Sequence, residues 1–151
     1  MTRLLSRSPA ALALALGLLG TAHAAPDDAA FHRRAAACVA VLERDASALA
    51  ARVQAGDKAA RPGLLKLTEQ GFTFVGKAYL RGLRKAEADR LVDEAKSAHK
   101  TLPPEALQQL SAGCQTEGAR LFADANALER ALVTNRAKAR MESLLAPKKP
   151  R

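Results

Sequence analysis

The chain has 151 residues with 24 Lys and Arg against 15 Asp and Glu, a formal net charge of +9. That length suits one domain and not two. Only 3% of residues are aromatic, with no Trp, so base-stacking nucleic-acid modules are disfavoured.

Residues 1–24 have the anatomy of a secretory signal peptide. Arg3 and Arg7 form a basic n-region, Ala10–Gly20 is apolar, and Ala22-His23-Ala24 is a small-x-small cleavage site. The expectation is cleavage between Ala24 and Ala25 and a periplasmic or secreted mature protein. The apolar run is about half the ~20 residues a membrane span needs, and no transmembrane segment is expected after cleavage.

The remainder is rich in Ala, Leu and Arg, which lose little on entering a helix, and it lacks β-branched runs. Asp28 is a plausible N-cap for a first helix running to Gln54, with Asp27 and Asp28 complementing its dipole. Phe31, Ala35, Cys38, Leu42, Ala46, Leu49 and Val53 give it one apolar face. Gly56 supplies the stop, and Pro62 fits the first position of a second helical segment, 62–100.

That middle segment is uneven. Leu64, Leu67, Val75, Tyr79 and Leu83 lie on one face, while Leu91, Ala95 and Leu102 form a displaced stripe. Gly71, Gly76 and Gly82 interrupt it, each at a cost of about 1 kcal/mol relative to Ala. Either they let helices approach closely, or the segment breaks near Gly71 and leaves a short helix at 62–70.

Thr101-Leu102-Pro103-Pro104 ends the segment. The longest stretch follows. Leu107, Leu110, Cys114, Gly118, Leu121, Ala125, Leu128, Leu132, Ala137, Met141 and Leu144 recur mostly at steps of three and four, predicting one helix over 104–146. Residues 147–151 form a basic tail expected to be disordered.

These elements predict a single all-α domain over 25–146, an elongated antiparallel three-helix bundle. Two cysteines in an exported chain predict one disulfide, Cys38–Cys114, tying first helix to last. It closes a loop of about 77 residues, worth about 4 kcal/mol in the chain-entropy account. Each cysteine lies ten residues into its helix. In an up-down-up bundle the first and third helices run parallel, so the sulfurs fall at one level.

No motif announces catalysis. Covalent haem needs CxxCH, a di-iron bundle needs ExxH pairs, and a dithiol oxidoreductase needs CxxC; none is present. The expectation is a non-enzyme without cofactor. His32 and His99 are the only histidines after the signal segment. An up-down pair would bring them to one end near Asp27 and Asp28. They are the only candidate metal ligands, yet no HxxxH or HExxH spacing fixes them, so no metal site is expected.

Positive charge clusters at Lys77, Arg81, Arg84 and Lys85 and again at Arg136, Lys138 and Arg140. The three-helix arrangement gathers the two groups into a basic end. Such a field suits an anionic macromolecule, a membrane surface or an acidic envelope protein. The alternative is a small-molecule or metal carrier using the His32/His99 end. Apolar surface on the extra length of the last two helices would equally drive a homodimer.

Overall fold

The computed structural model describes residues 26–147. The stretch read as a signal peptide and the tail beyond Pro147 lie outside them. Five α-helices follow one another: α1 Pro26–Gln54, α2 Arg61–Leu80, α3 Lys85–His99, α4 Pro104–Ala123 and α5 Ala127–Leu145. A 3-10 turn, Lys58–Ala60, links α1 to α2. Among the described residues there is no strand, and no helix is long and apolar enough to cross a membrane.

The all-α class and the single disulfide are present; the three-helix count is corrected to five. The middle segment breaks at Gly82 and not near Gly71, so 62–70 is the first half of α2. Gly82 has φ +86°, a left-handed conformation that a right-handed helix cannot contain and that L side chains rarely adopt. The Arg81, Gly82 and Leu83 amides close on the Ala78 and Tyr79 carbonyls, and the chain reverses. The last segment breaks at Asp124–Asn126. Asn126 Oδ1 accepts from the Glu129 amide at 2.9 Å, an N-cap that starts a new helix. Asp28 is not a cap: α1 begins at Pro26, and both aspartates sit in its first turn.

Helix α1 lies at the centre and packs on the other four. Half of its buried positions are alanines, Ala35, Ala36, Ala40, Ala46 and Ala50, small enough for several helices to approach at once. Val41, Leu42, Leu64 and Phe74 are fully buried. Helix α3 packs chiefly on α1, with Leu91 buried and Ala88 and Val92 beside it.

Cys38 and Cys114 form a disulfide with Cα atoms 5.2 Å apart. It joins α1 to α4, the penultimate helix, and the two run antiparallel. Arg34 meets Glu117, Cys38 meets Cys114, and Asp45 accepts from the Ser111 hydroxyl. The extra reversal at Gly82 turns the expected parallel pair around. Helix α5 runs antiparallel to α2 through Lys77–Glu129 at 3.0 Å, Thr134–Glu69 at 2.8 Å and Arg61–Glu142 at 2.6 Å.

The glycines divide by role. A methyl at Gly118 would lie 2.9 Å from Gln70 Cβ and 3.2 Å from Phe74, so α4 and α2 touch there because Gly118 has no side chain. At Gly71 and Gly76 an added Cβ meets nothing within 4 Å, so neither serves close approach. Gly118→Ala should therefore lower the unfolding free energy by about 1–3 kcal/mol through overpacking. Gly71→Ala should leave it unchanged or raise it by up to about 1 kcal/mol. Urea unfolding of both variants checks the contrast; equal effects would contradict the packing described.

Candidate functional site

The two predicted basic groups do not form one end. Lys77, Arg81, Arg84 and Lys85 sit where α2 ends, beside the start of α1. Arg136, Lys138 and Arg140 sit in the far half of α5. Glu129 pairs with Lys77, and Arg140 is eleven residues further along α5, roughly 16 Å of helix.

Most of these charges are already matched. Lys77 holds Glu129, and this hydrogen bond keeps the Glu129 carboxyl below the usual carboxylate range. Arg81 reaches Asp28 at 3.5 Å and lies 4.1 Å over the Phe31 ring. Lys85 pairs with Asp89 one turn on. Arg140 pairs with Glu43 at 3.0 Å. Arg84, Arg136 and Lys138 have no carboxylate partner among the described residues.

The histidines are also apart. His32 is buried at the start of α1, edge-on to Phe31, and its Nε2 has no hydrogen-bond partner among the described residues. His99, at the end of α3, lines a cleft of about 500 Å³ with Arg44, Ser47, Lys96 and Lys100. Burial and then the Arg44 charge hold its imidazole below the usual pKa. Twelve residues of α1 separate the two levels, roughly 18 Å. The reversal at Gly82 is again the cause, since it sends the end of α3 to the opposite end of α1. Among the described residues no three His, Cys, Asp or Glu side chains gather as a metal would need.

What the structure does bring together lies between α2 and α5. Tyr79, Leu80 and Leu132 are large apolar side chains left exposed there, Leu80 at 70%, and Leu128, 80% exposed, stands one turn before Leu132 on the outer side of α5. Leu128 and Leu132 belong to the apolar series read as an inward stripe. The break at 124–126 rotates them outward, and Ala137 and Met141 face the core instead. The sequence held a signal for this: the step from Leu132 to Ala137 is five, a phase slip along the series.

Beneath these leucines the surface is open. A cavity of about 360 Å³ is lined by Thr73, Gly76, Tyr79, Leu80, Leu132 and Val133, among others. An adjoining space of about 320 Å³ shares Gly76, Tyr79, Leu132 and Val133 and reaches Phe72, Val75 and Arg136. A third, about 130 Å³, shares Phe72 and Val75 and ends at Arg140 and Leu144. Together they form one trough along α2 from Leu80 to Thr68, roughly 18 Å long.

Glu43 ties the far end of the trough to the rest of the bundle. Its carboxylate takes Lys96 of α3 at 2.7 Å and Arg140 of α5 at 3.0 Å. Burial alone would raise its pKa, but Lys96 and then Arg140 outweigh it and hold the carboxyl below its ordinary value.

The chain matches no protein-family model, and no curated protein or solved structure is significantly similar to it.

A carboxyl with a depressed pKa contributes stability above its unfolded pKa and loses it as pH falls through the folded value. Glu43→Gln should therefore lower the urea midpoint at pH 7 and blunt the loss of stability between about pH 5 and pH 3. An acid-side slope identical to that of the parent protein would show that the three-helix junction does not depend on this charge.

Proposed function

We propose that the chain is an exported, non-catalytic helical protein of the bacterial envelope that docks peripherally on an anionic membrane surface. The observation that carries this reading is the pairing of exposed leucines with unmatched cations on one face. On α5, Leu128, Ala131, Asn135 and Lys138 follow at steps of three and four, and all are exposed. Leu132 follows Leu128 by one turn and lines a cavity with Leu80, and Arg84 lies four residues after Leu80 in the turn after α2. Apolar side chains that enter the acyl boundary and cations that meet lipid phosphates together give reversible surface binding.

Export is supported by the signal anatomy of residues 1–24 and by the formed disulfide, which persists in oxidising compartments. The basic surface proposed differs from the one read from sequence: it relies on Lys138 and Arg84, because Lys77, Arg81, Lys85 and Arg140 already hold carboxylates and Arg136, two residues from Lys138, lies on the other side of α5. A small-molecule carrier is the second reading. It loses the His32/His99 pairing that motivated it and gains the open trough over Gly76 instead.

Co-sedimentation of residues 25–151 with phosphatidylglycerol-containing vesicles should show binding that falls with salt and is weak on phosphatidylcholine alone. Each cation near such a surface is worth about 1 kcal/mol. Arg84→Glu with Lys138→Glu should then weaken partitioning about thirtyfold or more. Leu128→Gln should weaken it without changing helicity or the thermal midpoint. Salt-independent pelleting that the double charge reversal leaves intact would remove the hypothesis.

A further inference from the structure

Two of the three glycines of α2, Gly71 and Gly76, stand in its interior, where each weakens the helix, and packing does not explain them. Neither Gly71 nor Gly76 lets another element come closer, since a Cβ at either would meet nothing within 4 Å. Both line the trough instead: Gly76 lies under its two larger spaces and Gly71 under the third. A side chain at 76 would project into the space between Tyr79 and Leu132. The missing side chain keeps that space open.

The lining has a defined chemistry. The walls are Phe72, Val75, Tyr79, Leu132 and Val133, and one guanidinium, Arg136, stands at the edge of this apolar run. Arg136 has no carboxylate partner among the described residues, and the nearby acid of the trough, Glu129, is held by Lys77 at 3.0 Å. A concave, mostly apolar surface of a few hundred Å³ with a few polar groups is the usual form of a small-ligand site, and of the charged groups here Arg136 is the one without a carboxylate partner among the described residues. A guanidinium fork binds carboxylate or phosphate oxygens through two parallel N–H donors.

We propose that the trough binds one unbranched acyl chain bearing an acidic head group. The chain lies over Gly76 between Tyr79 and Leu132, and the head accepts hydrogen bonds from Arg136. This deepens the lipid reading and rests on it, using the same two helices, but it requires a single soluble amphiphile and no bilayer.

The test is calorimetric titration of disulfide-bonded residues 25–151 with oleate and, separately, with lysophosphatidylglycerol, each below its micellar threshold. Saturable one-to-one binding of either is expected, with no binding of dodecyltrimethylammonium. Oleate alone binding would identify a free fatty acid as the ligand; tighter lysophosphatidylglycerol binding would identify a phospholipid product. Arg136→Glu should weaken binding at least about tenfold. Gly76→Leu should abolish it by filling the trough. Leu132→Asn, at a position 59% exposed and so without a folding burden, should weaken it independently. Circular dichroism and the thermal midpoint verify that each variant is folded.

Binding that survives Gly76→Leu in a folded protein, or the absence of saturable binding by both amphiphiles, overturns the proposal. The vesicle reading is judged separately. Gly76→Leu that still sediments with anionic vesicles but takes up no oleate supports the trough. Vesicle binding by a parent protein that takes up neither amphiphile overturns the trough and leaves surface docking intact.

Discussion

The positive φ at Gly82 is the constraint from which the rest of the architecture follows. A right-handed helix cannot pass through it, so α2 stops and α3 returns along α1. The chain then begins α4 at the opposite end from where an unbroken middle helix would leave it. Cys114 consequently approaches Cys38 from the other direction. Gly118 comes to lie on Phe74, and Asp45 receives the Ser111 hydroxyl. A single backbone conformation sets the direction of three later helices.

Much of the fold was legible, for physical reasons that stop short of topology. The end of α1 at Gln54 and the start of α4 at Pro104 follow from a glycine stop and a proline start. The helical class follows from composition, and the disulfide from two cysteines in a chain read as exported. The breaks were harder. Gly71, Gly76 and Gly82 look alike in a helical pattern, and periodicity carries no information about the sign of φ. What separates them is the local turn: only at Gly82 do the Ala78 and Tyr79 carbonyls collect the amides that close a helix end. The second break was written in the sequence as Asn126 followed three residues later by Glu129, a helix-start pattern. The apolar series through Leu121, Ala125 and Leu128 masked it. Equal offsets of the cysteines pointed to the correct bond through an incorrect geometry, because equal offsets set one level only for parallel helices and α1 and α4 run antiparallel.

The functional face was less legible because it depends on what the breaks rotate. Leu128 and Leu132 read as core while 104–146 reads as one helix; they become surface once α5 starts afresh at Ala127. Charge was legible in amount and not in arrangement. Sequence counting adds Lys77, Arg81, Lys85 and Arg140 to a basic surface, but each meets a carboxylate from its own or another helix. The cations left over, Arg84, Arg136 and Lys138, are fewer, and Arg136 among them lines a cavity with apolar side chains. An alanine-lined central helix contributes to this arrangement. With Ala35, Ala36, Ala40, Ala46 and Ala50 filling the interior, four helices crowd α1 closely, and some of the larger side chains of α2 and α5 are left in the outer layer.

The position of the covalent link gives the two loops on either side of α4 opposite characters. A peptide bond cut within Lys100–Pro103 leaves both halves of the chain joined through Cys38 and Cys114. A cut within Asp124–Asn126 leaves α5 attached only by ion pairs, hydrogen bonds and its Ala137–Met141 face, since no disulfide lies beyond residue 114. Arg130 closes on the Ala123 and Ala125 carbonyls at that second loop and shields it. A protease could therefore nick the first loop without separating any part of the molecule, whereas a nick at the second would let the helix carrying Leu128, Leu132 and Arg136 diffuse away as a peptide. The face between α2 and α5 is in this sense detachable, and the remainder of the bundle is not.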